Sequence, residues 1–123
     1  MPTNSEVQAR LVREIYDAAE SSGLSVDTRA QDYLGTLVSE AVDRMETENR
    51  LEADEDIEEA AAAFRQLVTA SVVETRREAR TSSGKPEYRG AGQAAQAAPM
   101  VREASILRAL KGLCPIWPIC PPP

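Results

Sequence analysis

Apolar side chains recur at intervals of three and four residues along the first eighty positions, the spacing that places them on one face of a helix. Three such stripes, separated by polar or glycine-containing breaks, predict helices over about 5–22, 27–50 and 54–80. The stripes consist of Val7, Leu11, Val12, Ile15 and Ala19, then of Ala30, Leu34, Leu37, Val38, Ala41 and Met45, and finally of Ile57, Ala60, Ala61, Phe64, Leu67, Val68 and Val72.

Capping signals define the predicted helix ends. Ser5, with Gln8 three residues later, is typical of a capping box at the first helix. Gly23 stands where a left-handed C-terminal stop is expected. The acids within 53–59 open the third helix, where they complement the positive end of its dipole. A contiguous acidic run does not converge on an ion, so we predict no metal site there.

Residues 81–98 are rich in Gly, Ser and Ala, a composition that predicts a flexible linker. Basic residues in and beside this exposed stretch are candidate sites for a trypsin-like protease. They are Arg80, Lys85 and Arg89.

A short amphipathic helix is predicted over 99–111, since Pro99 suits its first turn and Gly112 its end. Such a helix is marginal alone, so its apolar face should bind the front domain, a partner protein or a lipid interface. The predicted face consists of Met100, Val101, Ala104, Leu107 and Leu110.

The C-terminal tail, residues 112–123, contains both cysteines and the one tryptophan of the chain. Its prolines block a helix or an interior strand, so the tail is predicted to be extended or turned. In a polyproline II conformation the two cysteines would stand about 19 Å apart. A disulfide needs Cα atoms within about 7 Å, so ring closure would require a tight turn. A cis Trp117–Pro118 bond is the candidate for that turn. The residues predicted to carry modification or docking are Cys114, Pro115, Ile116, Trp117, Pro118, Ile119 and Cys120.

Several functions of the two cysteines stay open. A zinc site would lack two ligands, because the chain has no histidine. A redox pair would lack the reactive C-x-x-C spacing, and the terminal prolines depart from the prenylation pattern. The residues are compatible with a tail that is disordered or simply docked, with palmitoylation beside the basic helix, and with a disulfide.

Composition and charge exclude further classes of function and partner. Residues 1–75 have a net charge of −11, and residues 76–123 have +5. The acidic front disfavours nucleic acid, and the basic back half is suited to contact that front or an anionic membrane. No catalytic constellation is visible, so we predict no enzyme activity, no cofactor and no metal. The N-terminus lacks a secretory signal pattern, and no run is long enough to span a bilayer, so a cytoplasmic location is expected.

Two resemblances add to this picture. The stretch 24–29 before a long second helix, and residues 53–60 opening the third, resemble the boundaries of a histone fold, which implies helical dimerisation. The acidic helical front, spacer and Cys-, Pro- and Trp-rich end resemble a leader-and-core precursor of a ribosomally synthesised modified peptide. That resemblance implies an enzyme that binds the front, modifies the end and cuts between them.

The sequence therefore predicts an all-α protein with an acidic three-helix bundle over 1–80, and the alternative is a histone-like dimer. The linker, short helix and extended tail described above complete the chain. We expect a non-enzymatic carrier whose C-terminal peptide is the functional part, recognised by a modifying enzyme or protease. The alternative is an oligomeric adaptor whose tail docks into a partner protein or, when lipidated, a membrane.

Overall fold

The computed structural model describes residues 3–83 and 100–120 of the chain. The described residues form four helices, α1 (Asn4–Ser22), α2 (Thr28–Thr47), α3 (Asp54–Ser83) and α4 (Glu103–Leu113). They also form two short strands, β1 (Ser25–Val26) and β2 (Met100–Val101). The predicted all-α fold is thereby confirmed.

The N-cap of the first helix lies two residues before the predicted one. Thr3, with an extended backbone, is the N-cap, and its hydroxyl accepts a hydrogen bond from the Glu6 backbone N–H at 3.1 Å. The Glu6 carboxylate accepts the Thr3 N–H in return, which completes a capping box. Ser5 therefore lies inside α1, and the prediction that it is the cap is wrong. The predicted stop is confirmed, because Gly23 has a φ of 81°.

All three predicted apolar stripes face a single core between α1, α2 and α3. Except for the half-buried Val12, every residue predicted to line the stripes is buried. Phe64, Leu67, Leu11 and Met45 have no exposed surface at all. Ion pairs border the core, with Arg65 2.7 Å from Glu14 and Arg10 paired with Glu58. The periodicity thus identified the inward faces of these helices.

The resemblance to a histone fold drew on a long second helix, whereas here the third helix is longer than the second. α1 has 19 residues, α2 has 20 and α3 has 30, so the third helix is the longest. α2 ends three residues before its predicted end at 50, and α3 continues through Ser83. Arg80, a predicted cleavage site, is therefore part of α3. Lys85 and Arg89, with the rest of 84–99, lie outside the described residues.

The two short strands pair residues that are far apart in the sequence. β1 pairs in parallel with β2, Ser25 opposite Met100 and Val26 opposite Val101. The Asp27 N–H, at the start of α2, donates to the Val101 carbonyl at 2.9 Å. Two residues are too few for an alternating pattern to appear in the sequence, so this pairing was not predicted. Because Met100 and Val101 are extended, the prediction of a helix from residue 99 is wrong; Pro99 itself lies outside the described residues.

The fourth helix packs against the bundle through a different face from the predicted one. Ser105, Ile106 and Ala109 are buried, whereas Leu107 is 43% exposed. Ala104 is exposed as well. The helix begins only at Glu103, so Met100 and Val101 do not set its phase. It continues through Gly112 to Leu113, one residue beyond the predicted stop.

None of the helices in the described residues is both long enough and apolar enough to cross a membrane.

Candidate functional site: the docked C-terminal ring

The seven residues 114–120 form a covalently closed ring, called the ring below. A disulfide joins Cys114 and Cys120, whose Cα atoms are 5.8 Å apart. The Ile119 and Cys120 N–H groups both donate to the Ile116 carbonyl, at 2.9 and 3.0 Å, so the segment turns back on itself. Trp117–Pro118 is cis, as predicted for a closed ring, and Cys114–Pro115 is cis as well. These residues thus form a tight turn and not an extended tail.

The ring continues directly from α4. Cys114 is the C-cap residue of that helix, and its N–H donates to the Leu110 carbonyl at 3.0 Å. The first residue of the ring is therefore fixed in position by the last turn of α4. Whatever holds α4 on the bundle also orients the ring.

The surface beneath the ring is built by the end of α2. Asn49 has a φ of 60°, a left-handed conformation that asparagine tolerates better than most residues. The Asn49 N–H donates to the Glu46 carbonyl and the Arg50 N–H to the Met45 carbonyl, at 3.0 and 2.8 Å. This hydrogen-bond pattern is a Schellman motif. It ends the helix and turns the chain so that Glu48 and Arg50 both approach Trp117.

Arg44, one turn before that end, binds the backbone of the ring. Its Nη1 donates to the Pro118 carbonyl at 2.7 Å and also to the Cys120 carbonyl. Hydrogen bonds from a charged donor are stronger than those between neutral groups. Because the acceptors are main-chain carbonyls, this contact recognises the shape of the turned backbone.

Trp117 is the ring side chain that makes polar contacts with the residues at the end of α2. Its indole Nε1–H donates to Glu48 Oε1 at 3.2 Å. The Arg50 guanidinium carbon lies 4.7 Å from the indole ring centroid, within cation–π distance. Arg50 Nε also lies 3.2 Å from Glu48 Oε1. The carboxylate thus links the indole and the guanidinium, and the three groups hold the tryptophan in one orientation.

The ring has an inner and an outer side. Pro118, Ile119 and Cys120 are buried, and Ile119 belongs to the main hydrophobic core. Cys114 and Pro115 are exposed, whereas Ile116 and Trp117 are half-buried. The structure therefore brings all seven predicted site residues together. It docks them on the chain's own second helix and leaves one edge open to solvent.

A second contact region holds α4 against α3. Thr75 Oγ1 donates to the Ser71 carbonyl at 2.9 Å and lies 3.1 Å from Ser105 Oγ in a buried hydrogen bond. Outside this buried pair, Arg108 lies 2.7 Å from Glu78 and 3.5 Å from Glu74. Through Arg108 and Glu74, the basic back half of the chain contacts the acidic front, one of the two roles that its charge suggested.

No three His, Cys, Asp or Glu side chains within 3–83 and 100–120 lie close enough together to hold a metal ion. Burial, with smaller contributions from the charges of Glu103 and Glu40, raises the pKa of Tyr33. Tyr33 lies on α2 and is far along the chain from the ring. Around the ring itself, three polar side chains of α2 and the turn after it, Arg44, Glu48 and Arg50, form what is called the polar clamp below.

Both cysteine sulfurs are occupied by the disulfide, one of the states that the sequence left open. A thioester with a fatty acid would need a free thiol, so lipidation would first require reduction of this bond. The lipidated form of the adaptor is therefore not the form described here.

The clamp residues Arg44, Glu48 and Arg50 were not predicted as site residues. Asn49 is a local signal for the end of a helix, since asparagine is the usual substitute for glycine at that position. No local signal connects the clamp to the tail, because the two are separated by about seventy residues.

Neither a family model nor a curated protein nor a solved structure matches the chain. The resemblances to a histone fold and to a modified-peptide precursor therefore stay predictions.

Proposed function

We propose that this protein is a non-enzymatic helical carrier whose C-terminal peptide is its functional part. The peptide is GLCPIWPICPPP, residues 112–123, and the ring lies within it. In this proposal a partner enzyme binds the acidic helical front, and modification or cutting of the C-terminal region follows. The chain resembles a modified-peptide precursor in this respect.

One observation carries the proposal: the bundle holds a covalently closed ring by its backbone and leaves one edge of it exposed. Arg44 binds the Pro118 and Cys120 carbonyls and the inner side of the ring is buried, so the bundle retains the ring. Cys114 and Pro115, at the open edge, are accessible to a partner. A carrier needs both properties, because it must retain a peptide while another protein acts on it.

Intact and fragment mass spectrometry of the protein from its native host tests this proposal. We expect a covalent change within residues 112–123 beyond the two hydrogens lost in the disulfide, or a released fragment that contains the ring. The same chain made in an unrelated host is the control and should show at most the disulfide. A full-length native chain with no change other than the disulfide would contradict the proposal.

The second candidate is an adaptor whose ring docks into a partner protein, and the clamp around Trp117 favours it. Glu48 and Arg50 fix the indole before any partner arrives, which lowers the entropy lost on docking. In that case Trp117→Ala should abolish capture of one partner, whereas the exposed Leu107→Ala should not. Capture that both variants leave unchanged would exclude the adaptor role for the ring.

A further inference from the structure

We infer that the body, residues 3–83, is a receptor for the C-terminal segment, residues 100–120, and retains it after the chain between them is cut. The use of such retention rests on the proposed carrier function, whereas the binding itself rests only on the contacts described here. The partner that this surface fits is therefore the protein's own cleaved product.

The contacts extend along the whole segment. At its start, Val101 is buried, pairs with β1 and accepts a hydrogen bond from Asp27. In its middle, Ile106 and Ser105 have no exposed surface. At its end, Ile119 enters the core and Arg44 holds the ring backbone. Strand, helix and ring thus each contact a different part of the body.

These contacts are of the kinds that hold separate chains together. Parallel strand pairing adds an extended segment to a second strand, and an amphipathic helix buries its apolar face against two others. The buried Ser105–Thr75 hydrogen bond and the Arg108 ion pairs align α4 with α3 in one register. An intact connection raises the effective concentration of the segment, but the contacts themselves do not depend on it.

Retention has a direct consequence for the carrier. A single cut between the body and the segment would yield a two-chain complex in which the ring stays docked. Release of the ring would then need a further event that loosens these contacts, such as a second cut or capture by another protein. The body would thus control when the product becomes free.

The test uses the full-length oxidised chain with a recognition sequence for a specific protease in place of residues 91–98. After complete cutting, confirmed by denaturing mass spectrometry, the sample is analysed by native mass spectrometry and gel filtration at about 10 µM, a concentration at which interfaces of ordinary affinity remain associated. We expect one species whose mass is the sum of both fragments. Two separate species would overturn the inference, whatever modification the native host makes.

A matched pair of variants locates the interface. Ile106 has no exposed surface, whereas its neighbour Leu107 is 43% exposed. In the cut protein, Ile106→Ala should speed exchange with an excess of isotope-labelled segment about a hundredfold, since it removes fully buried methyl groups. Leu107→Ala should change the exchange rate less than about threefold. Equal effects of the two variants would contradict the described interface.

A variant with a smaller expected effect covers the case in which Ile106→Ala does not fold. Arg108→Ala removes the ion pairs to Glu74 and Glu78 without creating a cavity. We expect exchange to quicken by a few-fold, in keeping with partly exposed ion pairs. Circular dichroism of each uncut variant confirms that its helices are intact. An unchanged exchange rate in both Arg108→Ala and a folded Ile106→Ala would also overturn the inference.

Discussion

The C-terminal segment is held by two regions that work by different chemistry. Between α3 and α4, side chains meet side chains: Ile106 and Ala109 are buried, and Ser105 pairs with Thr75. Between α2 and the ring, Arg44 binds main-chain carbonyls, and Trp117 is the side chain that the polar clamp contacts. The first region contacts side chains of the segment, whereas the second binds its main chain as well.

Substitutions are therefore expected to have different effects on the buried face of α4 and on the exposed edge of the ring. A substitution in the buried face of α4 leaves a cavity or an unpaired hydroxyl, and both are costly. A substitution at the exposed Pro115, on the open edge of the ring, changes little that the body contacts. In the proposed carrier, the segment stays bound through α4 while the exposed edge of the ring is altered.

The largest effect on stability is expected from Arg44, the residue that binds the main chain of the ring. Arg44→Ala leaves the Pro118 and Cys120 carbonyls without their charged donor, which should lower the free energy of unfolding by about 2–3 kcal/mol. Urea denaturation followed by circular dichroism measures the change. Trp117, as the one tryptophan of the chain, reports loss of the docked ring through a red-shifted emission.

Two control variants accompany Arg44→Ala. Arg44→Lys keeps a charged donor and should recover part of the loss. Arg29→Ala, at an exposed position on the same helix, should have an effect below about 0.5 kcal/mol. If Arg44→Ala is no more destabilising than Arg29→Ala, the contacts to the ring carbonyls contribute no stability.

Removal of the disulfide sharpens the contrast between the two regions. The double variant Cys114→Ser and Cys120→Ser frees the ring to unfold locally and should cost about 2 kcal/mol in the chain-entropy description of so short a loop. Hydrogen exchange should quicken for the amides of Ile119 and Cys120, while those of α4 stay protected. Since α4 is held by its own contacts with α3, an equal loss of protection in both places would show that the regions form one cooperative unit.

The smallest effect concerns Tyr33, whose pKa is raised by burial and by the nearby carboxylates Glu103 and Glu40. The folded protein therefore retains the phenol proton at a pH where the unfolded chain loses it. The contribution to stability is complete below the ordinary value of 10.0 and is lost as the pH rises through the higher folded pKa. The free energy of unfolding, measured by urea denaturation, should fall as the pH rises from about 10 to about 11.5, and Tyr33→Phe should reduce that fall. An identical fall in both proteins would contradict the raised pKa.

Much of the bundle was predictable, because helix periodicity is a local property. Val7, Leu11 and Ile15 share one face whatever lies opposite, and burial of that face follows from their apolar character. Gly23 was predictable for the same reason, since its left-handed backbone is required by the turn itself. The fourth helix was not, because Ser105 is buried only where Thr75 supplies a hydrogen-bond partner.

The sequence by itself determined the three long helices, their inward faces and the requirement that a closed tail be tightly turned. Only the tertiary structure decided that β1 meets β2, that α4 turns Ser105 inward and that the ring docks on the end of α2. The physical reason is distance along the chain. Arg44 and Glu48 are separated from their ring partners by 74 and 69 positions, and no local pattern records such a pairing.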